Sequence, residues 1–169
     1  WGNLKLIENT HDKRDDIDNK LNIQFQKYKT WIAASTHTNE EVFCAKAHIN
    51  LKKKNKKLIT IIIPRHIHRV QDIISKIKNL NLKVATHSSK VKTLKDIDIY
   101  IVDTFGDSNK FFKISNTVLM GKFLVSKGSQ NPLEAARYGA KILHGPNIDN
   151  FKDVFKLLES LKISKKITS

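Results

Sequence analysis

The sequence is poor in cysteine and glycine and has no long apolar run, and each shortage excludes a class of protein. Among its 169 residues Cys44 is the one cysteine, which excludes an internal disulfide and a cysteine-rich zinc site and fits a reducing, cytosolic compartment. No two of the six glycines lie close enough for a G-x-G-x-x-G or Walker A phosphate loop. The longest apolar run, Leu58–Ile63, is far too short to cross a bilayer, and no signal peptide is visible.

Acidic residues and arginines are scarce as well. The 31 lysines and arginines outnumber 16 aspartates and glutamates, so the net charge is +15, yet only four of the basic residues are arginines. Lysines scattered in this way indicate a compositional bias toward lysine rather than a surface dedicated to binding a polyanion. With 40% apolar residues the chain can bury a core of about one domain. Because it opens with Trp1 rather than Met, we expect it to be a piece of a larger protein.

Short apolar strands alternate with helical patterns along the chain. The clearest strand is Leu58–Ile63, which is β-branched and stops at Pro64. Further strands are predicted at 30–34, 82–86, 98–102, 117–120 and 141–143, and helices at 40–54, 68–80, 132–138 and 150–161, after a thin helical stripe within 12–27. This alternation predicts one doubly wound α/β domain over residues 1–169, with a parallel sheet and helices on both faces. The polar tail after Leu161 carries no predicted element.

Polar clusters follow four of the predicted strands, and ligands of open α/β sheets bind beyond the carboxyl ends of strands. The first cluster, Ser35–Glu41, is either a capping box with Thr38 at the N-cap and Glu41 at N3, or an anion or sugar site at a helix start. The second, Pro64–Arg69, holds two of the four arginines, whose planar donors suit phosphate or carboxylate. Its histidines lack the further ligands of a metal site, so no metal is predicted.

The third and fourth clusters suit a nucleoside. In Asp103–Asp107, Gly106 permits close backbone approach, and the two aspartates either accept hydrogen bonds from a sugar or base or cap the next helix. In Lys127–Glu134, Asn131-Pro132 predicts a strong helix start. The two carboxylate oxygens of Glu134 suit both hydroxyls of a ribose.

These clusters, in this order, resemble the C-terminal half of the bacterial Kdo transferases, which move 3-deoxy-D-manno-octulosonic acid (Kdo) from CMP-Kdo to the lipid A precursor. The resemblance covers most of the chain. It runs through Gly2-Asn3-Leu4-Lys5, Trp31–Glu41, Pro64–Arg69, Asp103–Asp107, Asn131–Ala136, Gly145-Pro146 and Asn150-Phe151. It implies the Rossmann-like donor-binding domain of a GT-B glycosyltransferase that is inverting, independent of metal and free of cofactors.

The resemblance also implies where the donor binds. It places CMP contacts on Pro64, Arg65, Phe105, Gly106, Asp107, Asn131, Pro132, Leu133 and Glu134, with Ser35, Thr36, His37 and Gln130 as further candidate donor contacts. The general base of the family lies in its N-terminal domain, so no catalytic residue is expected here, and the isolated chain should bind the donor without turning it over. The chain departs from the family pattern at four positions: Asp107 for glutamate, Asn39 and Ser129 for glycines, and Ile67 for proline.

Partners and location follow from the same resemblance. It implies a lipid A precursor as acceptor, an anionic membrane surface, no nucleic acid, and the cytoplasmic face of the bacterial inner membrane, in lipopolysaccharide biosynthesis. Two other functions stay open. One is a basic nucleic-acid-binding α/β module, although no aromatic stacking platform is recognisable; the other is a transferase or epimerase for another nucleotide sugar. The number of Kdo units, the exact acceptor and the oligomeric state stay open too.

Overall fold

One sheet of parallel strands organises the structure, a computed structural model that describes residues 16–124 and 128–167. The strands are β1 (Lys29–Thr36), β2 (Leu58–Pro64), β3 (Val84–Thr86), β4 (Ile99–Ile101), β5 (Thr117–Met120), β6 (Lys141–His144) and β7 (Ser164–Lys166). The helices are α1 (Asn19–Phe25), α2 (Glu40–Lys54), α3 (Val70–Lys78), α4 (Ser108–Phe112), α5 (Leu133–Arg137) and α6 (Lys152–Ser160), with short 3₁₀ turns at Ile67–Arg69 and Asp149–Phe151. Across the sheet the strand order is β3-β4-β2-β1-β5-β6-β7, and each neighbouring pair is parallel.

Helices cover both faces of this sheet. In β2 the side chains of Ile59 and Ile61 join one hydrophobic cluster and that of Ile62 joins the other, because successive strand residues point to opposite faces. Buried side chains of α1, α4, α5 and α6 pack in the first cluster, and those of α2 and α3 pack in the second. The predicted fold class, a doubly wound α/β domain, is therefore confirmed.

The strand order contains one point at which the chain changes direction. Strands β2, β3 and β4 lie on one side of β1, and the chain then crosses to build β5, β6 and β7 on the other side. Ligands of open α/β folds bind at such a switch point, beyond the carboxyl ends of the strands. The loops after β1, β2 and β5 therefore frame the expected crevice.

Most predicted elements are present with ends shifted by up to two residues, as at β3 and α3, and two segments differ in other respects. Ser35 and Thr36 lie beyond the strand predicted at 30–34 but belong to β1, where Ser35 forms a bulge with a φ of 54°. The polar tail contains β7, which pairs with β6 at the sheet edge. A strand of three polar residues has no hydrophobic alternation to reveal it, so its backbone pairing with β6 decides its structure.

A buried polar group lies at the amino ends of the strands, opposite the expected crevice. His48 of α2 is fully buried, with its Nδ1 2.8 Å from the Thr60 hydroxyl and its Nε2 3.5 Å from a carboxylate oxygen of Asp98. Lys52 also pairs with Asp98. Burial lowers the pKa of His48, and the nearby ammonium acts in the same direction, although the Asp98 carboxylate opposes both.

We expect this protein to lose stability as the pH falls from about 7.5 toward 5. The pKa of His48 in the folded chain lies below its ordinary value of 6.5, so the unfolded chain binds the proton more readily and the free energy of unfolding decreases. His37 and His87, whose pKa values burial also lowers, add to the effect. Urea unfolding at the two pH values should show a smaller loss for His48→Gln than for the wild type. Equal losses would contradict the assigned role of His48.

Candidate functional site

A buried carboxylate joins the loop after β1 to the loop after β5. Glu40, the first residue of α2, is fully buried. Its Oε2 accepts hydrogen bonds from the backbone N–H of His37 at 2.9 Å and of Lys122 at 3.0 Å, and its Oε1 accepts one from Leu124 at 3.0 Å. These donors satisfy a charge whose burial is otherwise costly. The two loops of the switch point are thereby held at a fixed separation.

The predicted capping box at this helix start is wrong. Thr38 is exposed, and the residue before the helix is Asn39, which has a φ of 72° and makes no side-chain cap hydrogen bond. Glu41 is buried and accepts a hydrogen bond from the Thr36 hydroxyl at 3.0 Å. Asparagine and glycine tolerate the left-handed region best, so Asn39 preserves the backbone that a glycine would adopt there.

The two arginines after β2 have different surroundings. The guanidinium of Arg69 donates two hydrogen bonds to the carboxylate of Glu41, at 3.0 and 3.2 Å, and both side chains are largely buried. Arg65 is exposed, and its backbone N–H donates to the carbonyl of Thr36 at 3.0 Å. The guanidinium of Arg65 has no carboxylate partner in the described part of the chain. Of the two, Arg65 is therefore the one available to a ligand.

Basic side chains from three loops meet at the switch point. The rings of His37 and His66 lie 5.8 Å apart, and Nε2 of His37 lies 3.1 Å from Nε2 of Gln130. Burial lowers the pKa of His37, and the charges of Lys122, His66 and Arg65 lower it further, against one opposing carboxylate at the start of α2. The ring is therefore neutral at pH 7 within a positive local field. We call His37, Arg65, His66, Lys122 and Gln130 the basic group. The charges of Arg65 and Lys122 favour an anionic ligand.

The three candidate residues after β4 form a second group. The side chain of Phe105 is 92% exposed, and Gly106 has a φ of 78°. Asp107 accepts a hydrogen bond from the Thr104 hydroxyl and pairs with the Lys110 ammonium at 2.7 Å. Although burial raises the pKa of Asp107, these two hydrogen bonds hold it below its ordinary value. The carboxylate is therefore ionised and already oriented.

Asp107 lines a cavity of about 520 Å³ between α1, α4 and the segment after β3. In its wall, Nδ1 of His87 lies 2.9 Å from the Tyr100 hydroxyl, and Nε2 of His87 lies 3.8 Å from Asp107. The side chains that contact Asp107 (Thr104, Lys110 and His87) thus line this cavity and do not belong to the basic group. The third cluster and the first two occupy neighbouring parts of the carboxyl edge.

The fourth cluster, Lys127–Glu134, leads into α5. Its Gln130 is a member of the basic group, through its contact with His37. The side chain of Asn131 accepts a hydrogen bond from the Leu133 N–H at 3.0 Å. The predicted helix is present, but it begins one residue later than predicted, at Leu133, with Pro132 and not Asn131 at the N-cap position. Glu134 is exposed. Gly128 has a φ of 78°, and a Cβ there would lie 3.0 Å from the amide nitrogen of Asn150.

The sequence reasoning missed Glu40 and Lys122. In the sequence Glu40 is an ordinary acidic residue in the first turn of a helix, and Lys122 is one lysine among many. Neither is marked by its neighbours in the sequence as a site residue. The close approach that brings them together is visible at Gly121, where a Cβ would lie 2.0 Å from the carbonyl oxygen of Ser35. A glycine directly after a buried strand was the available sign.

Metal and membrane features are absent from the ranges that the structure describes. Within residues 16–124 and 128–167, no three His, Cys, Asp or Glu side chains are grouped so that they could hold a metal ion. None of the helices in these ranges is long and apolar enough to cross a membrane.

Comparison with curated proteins finds relatives named 3-deoxy-D-manno-octulosonic acid transferase. The one from Haemophilus influenzae is 28% identical over 158 residues, which cover 93% of this chain and 37% of the relative. The one from Rickettsia felis is 31% identical over 155 residues, which cover 92% of this chain and 33% of the relative. The chain is homologous to the Kdo transferases. It spans about a third of the length of the curated relatives it matches.

The fold of this Kdo-transferase homologue also occurs in a solved structure, the C-terminal CMP-Kdo binding domain of WaaA from Acinetobacter baumannii. The two agree with a TM-score of 0.80 over 86% of this chain and 76% of that one, at 22% sequence identity. The predicted Rossmann-like fold and the predicted resemblance to the Kdo transferases are both confirmed. No family profile matches the chain.

Stability measurements should separate the two arginines of this homologue. Arg69→Ala leaves the buried Glu41 carboxylate without its ionic partner and should lower the free energy of unfolding by about 3–5 kcal/mol. Arg65→Ala removes an exposed side chain and should change it by less than about 0.5 kcal/mol. Urea unfolding at pH 7.5 measures both, and similar losses in the two variants would show that Arg65 is also a structural residue.

Proposed function

We propose that this chain is the donor-binding domain of a Kdo transferase, an inverting GT-B glycosyltransferase, and that it binds CMP-Kdo at the carboxyl ends of its strands. The observation that carries the proposal is the homology to Kdo transferases over nine tenths of the chain. The complete enzyme transfers Kdo to the lipid A precursor in lipopolysaccharide biosynthesis. Its general base belongs to a part of the enzyme outside this chain, so this chain alone binds the donor without turnover.

The basic group suits the leaving group of that reaction. When the bond between the anomeric carbon of Kdo and the phosphate oxygen breaks, its electron pair stays with the phosphate, and negative charge develops on CMP. Donors placed where charge develops lower the barrier. The exposed guanidinium of Arg65 offers a fixed fork of donors to that phosphate, with the backbone of Pro64 holding it at the end of β2.

In this proposal the other candidate residues contact the nucleoside from two neighbouring parts of the carboxyl edge. Glu134 is exposed, and its carboxylate accepts hydrogen bonds from the ribose hydroxyls. Asn131 fixes the start of the helix that carries Glu134. Asp107 is ionised and held by Thr104, so it can accept a hydrogen bond from the base or sugar. In this proposal the phosphate lies nearest Ser35 and Thr36 at the end of β1 and His37 and Gln130 in the loops after β1 and β5.

The acceptor and the location belong to the same proposal. A lipid A precursor carries phosphates at a membrane surface, and the net charge of +15 favours binding to an anionic surface on the cytoplasmic face of the inner membrane. A nucleic-acid-binding module gains no support, because Tyr100, Phe111 and Phe112 are buried in the core while Phe105 is exposed. Of these four rings only Phe105 is exposed, and a single ring is no stacking platform for successive bases.

Calorimetric titration of nucleotides tests the donor assignment. CMP should bind more tightly than UDP or GDP, and Arg65→Ala should weaken CMP binding by about 1.5–3 kcal/mol because a charged hydrogen bond is lost. Arg65→Lys keeps the charge without the planar fork and should recover part of the loss. Tighter binding of UDP or GDP would assign the chain to another nucleotide sugar, and RNA binding that CMP does not displace would favour the nucleic-acid module.

Vesicle sedimentation tests the membrane partner. The chain should sediment with phosphatidylglycerol vesicles at low ionic strength and be released as salt is raised, because screening weakens the attraction between lysines and lipid phosphates. Neutral phosphatidylcholine vesicles are the control and should leave it in the supernatant. Equal behaviour with the two lipids would contradict a binding site for anionic membranes.

A further inference from the structure

Lys122 occupies a constrained position at the switch point. It follows Gly121 directly after β5 and has a φ of 66°, in the left-handed region that residues with a side chain rarely adopt. Its backbone N–H donates to the buried carboxylate of Glu40 at 3.0 Å, which holds the residue in this conformation. Such conformations persist where the surroundings enforce them and are concentrated at functional sites.

The ammonium of Lys122 has basic neighbours. Its Nζ would lie 3.5 Å from a Cβ placed on Gly128, and its charge acts on the ring of His37 together with the charges of Arg65 and His66. No carboxylate lies within ion-pair distance of this Nζ in residues 16–124 and 128–167. The nearby carboxylate of Glu40 is already bound to backbone N–H groups. Lys122 is therefore a half-buried cation without a counterion.

A second unsatisfied polar group lies on the segment that Lys122 approaches. Ser129 is buried, with 7% of the residue accessible, and its hydroxyl has no hydrogen-bond partner among the described residues. Ser129 stands between Gly128, beside the Lys122 ammonium, and Gln130, beside His37. Buried polar groups are nearly always paired, so this hydroxyl, one residue from Gly128, is a second group that a ligand at the switch point would satisfy.

We propose that Lys122 is a further donor-binding residue, whose ammonium acts with the guanidinium of Arg65 to hold the phosphate of the cytidylate. The proposal rests on the proposed function and adds to it a residue from the third loop of the switch point. Arg65 follows β2 and Lys122 follows β5, so the two cations approach from opposite sides of β1. An anion between them would neutralise charges that otherwise repel each other.

Lys122→Gly tests this role without threatening the fold. Glycine adopts the left-handed conformation freely, so the variant should be at least as stable as the wild type in urea unfolding. Its dissociation constant for CMP should rise about tenfold, because one charged hydrogen bond to the phosphate is lost. Binding of cytidine, which lacks the phosphate, should not change. Lys122→Arg keeps the charge and should bind CMP within about threefold of the wild type.

Lys162→Gly is the matched control. Lys162 is also a left-handed lysine, with a φ of 58°, but it precedes β7 at the amino ends of the strands and is exposed. This variant loses the same charge and the same backbone constraint far from the switch point. Its CMP affinity should stay within about twofold of the wild type at fixed ionic strength.

The outcomes separate this inference from the proposed function. If the wild type binds CMP and the two glycine variants bind it equally well, the role of Lys122 is overturned and the donor site stands. If the wild type binds pyrophosphate but not CMP, and Lys122→Gly loses pyrophosphate, then the anion site stands and the cytidylate assignment is wrong. If the wild type binds neither CMP nor pyrophosphate, both proposals fail.

Discussion

The hydrogen bonds of the Glu40 carboxylate are the constraint on which the candidate site depends. Strands β1 and β5 are neighbours, but pairing within the sheet says nothing about the loops beyond their ends. Glu40 extends the connection past the sheet, because its two oxygens accept from the N–H groups of His37, Lys122 and Leu124. A buried carboxylate with three backbone donors cannot exchange them for water, so the distance between the loops is set by this side chain.

Charged side chains that are already paired stabilise this region, and those without a partner are available to bind a ligand. Arg69 is paired with buried Glu41, and this ion pair ties the segment after β2 to the start of α2. Arg65 stands four positions earlier, and within the described ranges neither it nor Lys122 makes a comparable pair. These two cations, from the loops after β2 and β5, create a positive field that an anionic ligand would neutralise. The same stretch of sequence thus supplies both a structural arginine and a binding arginine.

The order of the polar clusters allowed most of the candidate site to be predicted. Clusters after successive parallel strands must lie at one edge of the sheet, and the contact between His37 and Gln130 brings the first and fourth clusters together. Asp107 was harder to place, because its partners Thr104, Lys110 and His87 come from both sides of β4 and direct it toward a separate cavity. Sequence spacing cannot distinguish two parts of one edge.

The sequence by itself determined the fold class, the helix starting at Glu40 and the resemblance to Kdo transferases, because alternation, helical periodicity and motif order are local properties. Only the tertiary structure decided that Glu40 joins two loops and that Glu41 pairs with Arg69. It decided, too, that Lys122 lies at the switch point. It also decided β7, whose polar residues become a strand by pairing with β6. Each of these depends on a partner distant in the chain, and local preference carries no information about distant partners.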